Sequence, residues 1–143
     1  MKKLVILKAC ANSGKTGTLS ALIAKLLADT NFNLIHPVAP EEVTSFIIGK
    51  IGTKRIGVIT FGDPGSDEDL AECLNECNSQ GCEIIFTASR TKGGIYNYLY
   101  SFASKHNFVT VETSPLFAWR FRDTGIDITK LHDIFADMLY KLI

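Results

Sequence analysis

The sequence predicts an α/β protein built as a three-layer αβα sandwich, with a mainly parallel sheet of about five to six strands and an antiparallel hairpin strand at one side. Short apolar runs alternate with helical stretches of about 10–15 residues, which is typical of βαβ units in a parallel sheet. One glycine-containing turn between two β-rich runs indicates the hairpin. The 143 residues are enough for one domain with a sizeable core, spanning 1–143.

The first part of the chain predicts a strand, a helix and a second strand. Residues 4–7 form a short apolar run, as in a buried strand. Apolar side chains then recur at helical spacing over 19–27, which predicts an amphipathic helix. Residues 33–35 have the composition of a strand, and Pro37 and Pro40 after them indicate a loop.

The hairpin follows this loop. Two β-rich runs at 46–51 and 55–61 flank Gly52-Thr53-Lys54. A tight turn with glycine between such runs predicts two antiparallel strands. We expect one of them to run against the direction of the remaining sheet.

The rest of the chain alternates between helix and strand. Ser66 is positioned to cap a helix, with Asp69 three residues later, and Gly81 ends this helix. The remaining predicted elements are a buried strand at 83–87, a helix with apolar residues over 95–103, a strand at 108–112 and a helix with an apolar stripe over 131–142.

The loops that follow the predicted parallel strands are the expected place of function. Ligands of such sheets bind beyond the carboxyl ends of the strands. The loops that begin at Ala9, Gly62, Ala88 and Thr113 each follow a predicted strand. We therefore expect these four loops on one rim of the sheet.

The composition gives no indication of a nucleic-acid or membrane partner, although local basic patches stay possible. Lys and Arg total 15, as do Asp and Glu, so no net charge attracts nucleic acid or a membrane surface. The first apolar run is shorter than the about 7–15 residues of a signal peptide, and no run approaches the roughly 18 residues of a membrane span. We expect a cytoplasmic protein. A protein partner or a homodimer stays open, because an exposed sheet edge is a natural pairing site.

The four cysteines, at positions 10, 73, 77 and 82, do not have the spacing of a zinc site. No CxxC pair occurs and no histidine lies near them. We expect them to be reduced and to pack as small apolar side chains.

The most informative segment is Ala9-Cys10-Ala11-Asn12-Ser13-Gly14-Lys15-Thr16, between the first predicted strand and the first predicted helix. Small residues let the backbone curl so that successive N–H groups point inward and bind an anion. The helix adds its unpaired N–H groups and the positive end of its dipole. Lys15 would then place an ammonium on the outer phosphates of a nucleotide, and the Thr16 hydroxyl would bind Mg²⁺.

In this context the segment resembles the Walker A motif of the P-loop NTPase superfamily, which implies a P-loop NTPase-like fold. The resemblance also implies phosphate contacts along the loop and the first turn of the helix. These residues are Ala11, Asn12, Ser13, Gly14, Lys15, Thr16 and Gly17. The strict motif begins with Gly where this chain has Ala9, which predicts a negative φ there, because Ala disfavours positive φ. The alternative is an ordinary helix start capped by Ser13 or Asn12.

A carboxylate after an apolar strand supplies the second predicted magnesium contact. The run 58–61 ends in Gly62-Asp63, which loosely resembles a Walker B motif. Asp63 is therefore the predicted Mg²⁺ partner, placed beside the phosphate loop if the two strands are neighbours. The alternative is a plain turn, since Gly-Asp-Pro-Gly is also a turn sequence. Additional-strand ATPases usually carry a water-activating Glu after this Asp, and its absence here argues against vigorous hydrolysis.

The loop Ser89-Arg90-Thr91-Lys92-Gly93-Gly94 combines two cations with two glycines. Arg90 or Lys92 could stabilise charge during phosphoryl transfer or hold a second anionic substrate. The alternative is a solvated loop whose glycines begin a helix. The combination of this loop with Gly-Asp-Pro-Gly resembles small bacterial P-loop proteins of unassigned function. This resemblance extends over most of the chain.

The last loop of the rim contains Trp119-Arg120-Phe121-Arg122. Arg120 or an aromatic side chain is the candidate to stack on adenine. Packing of Trp119 and Phe121 beneath the last helix is the alternative. A GTPase would carry Asn-Lys-x-Asp at this rim, and the sequence contains no such tetrapeptide, which favours ATP over GTP.

The sequence thus predicts a Mg²⁺-dependent ATP-binding protein. Lys15, Asp63 and Arg90 are the candidate catalytic residues, and Thr16 and Asp63 are the candidate magnesium contacts. The activity would be weak nucleoside triphosphate hydrolysis or a small kinase-type phosphoryl transfer. The alternative is a non-catalytic ATP-sensing or adaptor module that acts through a partner.

Overall fold

The computed structural model describes residues 1–11, 13–115 and 124–143. The strands are β1 (Lys2–Lys8), β2 (Phe32–His36), β3 (Phe46–Ile51), β4 (Lys54–Ile59), β5 (Ile84–Ser89) and β6 (Phe108–Thr113). The α-helices of these ranges are α1 (Lys15–Ala28), α2 (Asp67–Ser79), α3 (Gly94–His106) and α4 (Ile128–Tyr140). None of these helices is long and apolar enough to cross a membrane.

The strands form one sheet in the order β2-β3-β4-β5-β1-β6. β5 is parallel to β4 and to β1, and β1 is parallel to β6. β3 is antiparallel to both of its neighbours, β2 and β4. The predicted α/β class, with a mostly parallel sheet of six strands and an antiparallel hairpin strand, is therefore confirmed.

β3 and β4 form the predicted hairpin. Ile51 pairs with Lys54, so the turn consists of Gly52 and Thr53. Gly52 has a φ of 62°, a conformation that glycine adopts without steric penalty. Because β2 covers the other side of β3, the hairpin strand lies inside the sheet and β2 and β6 form its edges.

Helices pack on both faces of the sheet. In β1, Val5 and Leu7 join an apolar cluster with residues of α1 and α4, whereas Leu4 and Ile6 join a second cluster with residues of α2 and α3. This alternation follows from strand geometry, since successive side chains point to opposite faces. All four side chains are fully buried, and the burial of each contributes about 1.5–3 kcal/mol. The loop after β1 therefore leaves from a firmly packed central strand.

Four strands end on the same rim. β1, β4, β5 and β6 run in one direction, so the loops that follow them gather at their carboxyl ends, as predicted. Asp63 was expected beside the phosphate loop on the condition that β1 and β4 are neighbours, and this condition is not met, because β5 lies between them. The loop after β4 therefore reaches the loop after β1 across the end of β5.

The start of α2 also differs from the sequence-based expectation. Ser66 precedes the helix, but its hydroxyl donates to the carbonyl of Asp63 at 2.6 Å and no side chain caps the helix. Asp67, Glu68 and Asp69 occupy the first turn, where their charges complement the positive end of the helix dipole.

The four cysteines are free, as expected. Cys77 and Cys82 are buried in the cluster under α2 and α3. The Cys77 sulfur would lie 2.5 Å from a Cβ built at Gly57. Glycine at this position of β4 thus makes room for a buried thiol.

Candidate functional site

The loop between β1 and α1 is anchored to β5 at its beginning. The Ala9 N–H donates to the Ser89 carbonyl at 3.1 Å, and Ala9 is buried. Asn107 is the only described non-glycine residue with a positive φ, so the predicted negative φ at Ala9 is confirmed. At its other end the loop reaches α1 through Gly14, whose φ of 91° lies in the left-handed region.

Lys15 is buried inside this loop, with only 6% of its surface exposed. Its Nζ donates to the carbonyls of Ala9 at 2.9 Å and of Cys10 at 2.8 Å. No carboxylate of the described residues forms an ion pair with it. Burial lowers the pKa of Lys15, an effect that the charge of Asp63 opposes and that of Arg90 reinforces. The loop therefore holds a desolvated ammonium that has no direct counter-charge among the described residues.

No side chain of the described residues caps the N-terminus of α1. The Ser13 hydroxyl donates instead to the Cys10 carbonyl at 2.6 Å, so the alternative in which Ser13 caps the helix is wrong. Asn12, the other candidate cap, lies outside the described residues. Among the residues that are described, no carbonyl accepts from the N–H groups of Lys15, Thr16 and Gly17, which are thus available to an anion.

Thr16 connects this loop with the loop after β4. Its side chain is at the surface, and its hydroxyl donates to the Thr60 carbonyl at 3.2 Å. Asp63 follows Thr60 by three residues and accepts a hydrogen bond from the Arg90 Nε at 3.1 Å. The structure therefore brings the loops of Thr16, Asp63 and Arg90 together, although β1 and β4 are not adjacent.

Gly62 allows the loop after β4 to lie against the backbone of β5. A Cβ built at Gly62 would lie 1.7 Å from the Ala88 carbonyl oxygen and 2.3 Å from its carbon. Any side chain there would overlap backbone atoms, which cannot rotate away. This close approach carries Asp63 to Arg90 at the end of β5.

The donor set at this rim fits magnesium that arrives together with phosphates. Mg²⁺ prefers oxygen ligands and is usually held by one or two protein groups plus water and phosphate oxygens. The Thr16 hydroxyl and the Asp63 carboxylate are such groups, and both are at the surface. The described ranges contain no group of three or more His, Cys, Asp or Glu side chains that could hold a metal ion by themselves.

His132 is a residue near this site that the sequence did not indicate. A Cβ built at Gly17 would lie 2.3–2.8 Å from three atoms of its imidazole ring, so the ring packs directly on the first turn of α1. Its Nε2 is buried and has no hydrogen-bond partner in the described parts of the chain. Gly17 thus also permits the close approach of α4. The two residues lie far apart in the chain, so no local pattern could have paired them.

A network of polar side chains supports the strand that leads into the loop. Lys8 forms an ion pair with Glu112 at 2.6 Å. The Tyr100 hydroxyl also donates to Glu112, and the Ser114 hydroxyl donates to the Lys8 carbonyl at 2.8 Å. These contacts tie the carboxyl ends of β1 and β6 to α3. Arg120, the candidate for stacking on the base, lies outside the described residues.

Comparisons with protein-family models, with curated proteins and with solved protein structures found no match to this chain. Its geometry alone therefore defines the candidate site. A buried lysine, the N-terminus of α1 and a carboxylate paired with an arginine meet on the rim of an α/β sheet.

Proposed function

We propose that this protein binds Mg·ATP in the loop between β1 and α1 and that its fold is of the P-loop NTPase type. The phosphates would lie against the backbone from Ala11 to Gly17, with Lys15 on the outer phosphates. Thr16 and Asp63 would contact the magnesium ion. Arg90 would act on the transferred phosphoryl group, and Arg120 would stack on the base.

The observation that carries this proposal is the buried ammonium of Lys15. A buried charge is unfavourable unless other groups compensate for it. The carbonyls of Ala9 and Cys10 compensate in part, but they bring no negative charge. A polyphosphate would supply this charge directly beside the free N–H groups at the start of α1.

The chemistry that fits this arrangement is weak hydrolysis of ATP or kinase-type phosphoryl transfer. Magnesium supplies charge neutralisation on the phosphate oxygens. Asp63 accepts a hydrogen bond from Arg90, so a carboxylate for magnesium and a guanidinium for the transferred group lie side by side. No Glu immediately follows Asp63 in the chain, because the next residue is Pro64, which agrees with slow rather than rapid hydrolysis.

The test is calorimetric titration of the protein with Mg·ATP, with Mg·GTP and with ATP in the presence of a chelator. We expect saturable heat with Mg·ATP, weaker binding of Mg·GTP, and much weaker binding when magnesium is removed. ADP release in the same samples separates an enzyme from an ATP sensor, which would bind without turnover. Absence of Mg·ATP binding would overturn the proposal.

Cys10 offers a second test, because it is the only exposed cysteine. Burial raises the pKa of Cys73 to about 11. The pKa of Cys77 is also raised, first by its hydrogen bond to Cys82 and then by burial. Since only the thiolate reacts, a thiol reagent at pH 8 should modify Cys10 first.

We expect Mg·ATP to protect Cys10 from this reaction, because its sulfur lies 3.1 Å from the Ser13 hydroxyl, inside the proposed phosphate loop. At a nucleotide concentration of about ten times Kd, the rate should fall about tenfold. A Cys10→Ser variant, which should lose the rapid phase, is the control. An unchanged rate at saturating Mg·ATP would place the nucleotide elsewhere.

A further inference from the structure

A separate cleft lies on the same rim, between the loop after β4 and the loop after β5. Its volume is about 120 Å³. Its lining includes Gly62, Asp67, Arg90, Lys92, Gly94 and Ile95. Arg90 also bonds to Asp63, so this cleft adjoins the proposed magnesium contact.

Two cations face this cleft with unused donors. Arg90 is bound to Asp63 through Nε alone, and its terminal Nη groups have no acceptor among the described residues. Lys92 forms no ion pair within those same residues. The free edge of a guanidinium matches the geometry of a phosphate or carboxylate group, and a nearby ammonium adds to the attraction.

Glycines keep the floor of the cleft open. A Cβ at Gly93 would meet no atom within 4 Å, and a Cβ at Gly94 would meet only the Asp67 carboxylate, at 3.6 Å. Packing therefore does not require glycine at Gly94. The missing side chain leaves room for a ligand to approach the backbone and the two cations.

The cleft continues into a more apolar one. Asp67 and Ile95 line both, and Glu68, Leu70 and Tyr98 line only the second, which has a volume of about 180 Å³. The Asp67 carboxylate stands at the junction and forms no ion pair in the described chain. A ligand that spans both clefts would thus meet cations at one end and a hydrogen-bond acceptor in the middle. At the other end it would meet apolar side chains together with Glu68.

We propose that these joined clefts bind a second small molecule, which carries an oxyanion such as a phosphate group and an apolar or aromatic portion. The oxyanion lies at Arg90 and Lys92, a hydroxyl or other donor faces Asp67, and the apolar portion lies along Ile95 and Tyr98. The role of this molecule as a phosphoryl acceptor rests on the proposed function. Its binding does not, because none of these contacts involves the loop of Lys15.

Nuclear magnetic resonance of the full chain tests this proposal residue by residue. The protein is first saturated with Mg²⁺ and a non-hydrolysable ATP analogue, and then titrated with phenyl phosphate, inorganic phosphate or phenol. We expect the backbone amide signals of Gly93 and Gly94 to shift with phenyl phosphate. Inorganic phosphate should bind about tenfold more weakly, because it leaves the apolar cleft empty, and phenol should bind more weakly still.

Two substitutions sharpen the test. Lys92→Ala removes one charged contact and should weaken phenyl phosphate binding about tenfold. Gly94→Leu should abolish binding by filling the cleft, and its Cβ would meet only the Asp67 carboxylate, at 3.6 Å. Lys105→Ala, which changes an exposed lysine in the last turn of α3, is the matched control and should leave binding unchanged.

The outcomes separate this proposal from the proposed function. Shifts at Gly93 and Gly94 with phenyl phosphate support the cleft, even if the ATP analogue leaves the Gly14 and Gly17 signals unmoved and so refutes the nucleotide site. Phenyl phosphate shifts confined to Gly14 and Gly17 would overturn the cleft. So would unchanged binding in both Lys92→Ala and Gly94→Leu, or no shift at millimolar phenyl phosphate.

Discussion

Substitution of Lys15 by methionine should weaken Mg·ATP binding at least about 100-fold while the protein stays folded. Removal of one partner from a buried charge pair typically costs about 2–5 kcal/mol of binding free energy, and each 1.4 kcal/mol is about tenfold in Kd. Lys15 is buried and lies between the loop carbonyls and the N-terminus of α1. Calorimetric titration of wild type and variant measures the effect.

The same substitution should change stability little at neutral pH. Methionine relieves the burial of an ammonium but leaves the carbonyls of Ala9 and Cys10 without their donor, and each lost bond to a charged group is worth about 1.5–3 kcal/mol. Because these contributions oppose each other, we expect the free energy of unfolding to change by no more than about 2 kcal/mol.

The difference in stability between the wild type and Lys15→Met should depend on pH. The pKa of Lys15 is lowered in the folded protein, so the folded state binds this proton more weakly than the unfolded state does. Wild-type stability should therefore rise relative to Lys15→Met as the pH increases from the lowered pKa towards the ordinary value of about 10.4. Urea unfolding of both proteins at neutral and alkaline pH measures the difference.

Lys105→Met serves as the control for both measurements, since Lys105 is an exposed residue at the far end of α3. It should bind Mg·ATP like the wild type. If Lys15→Met is folded and binds Mg·ATP with the wild-type Kd, Lys15 does not contact phosphate and the nucleotide site is refuted.

The local parts of this fold could be predicted from the sequence. The run at 4–7 and the helical spacing over 19–27 correspond to β1 and α1. The turn at Gly52 corresponds to the β3–β4 hairpin. Each of these depends on neighbouring residues, whose period and turn chemistry are visible in the chain. The shared rim followed from them, because parallel strands carry their ligand-binding loops at one end.

The contacts between distant segments could not be predicted in this way. Strand order depends on which faces pack together, and the sequence did not predict that β5 lies between β1 and β4. Asp63 and Arg90 were placed on one rim with separate roles, whereas the structure pairs them at 3.1 Å. Their pairing requires that β4 and β5 be neighbours, which no local pattern encodes.

Gly62 is a single residue whose contact with a distant segment could not be predicted from the sequence. In the sequence, Gly62 was notable only as part of a run that loosely resembles a Walker B motif and of a possible turn. The structure adds the physical reason for glycine here, because a Cβ at this position would lie 1.7 Å from the Ala88 carbonyl oxygen. The contact belongs to two segments that are well separated in the chain, so the size of the penalty is visible only once they are packed together.

Among the Gly→Ala substitutions in the loops of this rim, Gly62→Ala should therefore destabilise the protein most. The overlap is with backbone atoms of β5, so β4 and β5 must move apart at their carboxyl ends. Overpacking of this kind costs about 1–3 kcal/mol and occasionally more, and the severity of this overlap places it at the upper end. We expect a fall in melting temperature of about 10 °C, measured by thermal unfolding.

Gly94→Ala is the matched control, because its added methyl group would lie 3.6 Å from its nearest neighbour, the Asp67 carboxylate. At the start of α3 this change should be neutral or slightly stabilising, since alanine favours helix over glycine. Loss of soluble protein for Gly62→Ala alone would agree with the prediction.

A melting temperature for Gly62→Ala equal to that of the wild type would show that the loop after β4 does not lie against β5. The contact between Asp63 and Arg90 would then lose its structural basis, and with it the placement of a carboxylate and a guanidinium beside the proposed phosphate site.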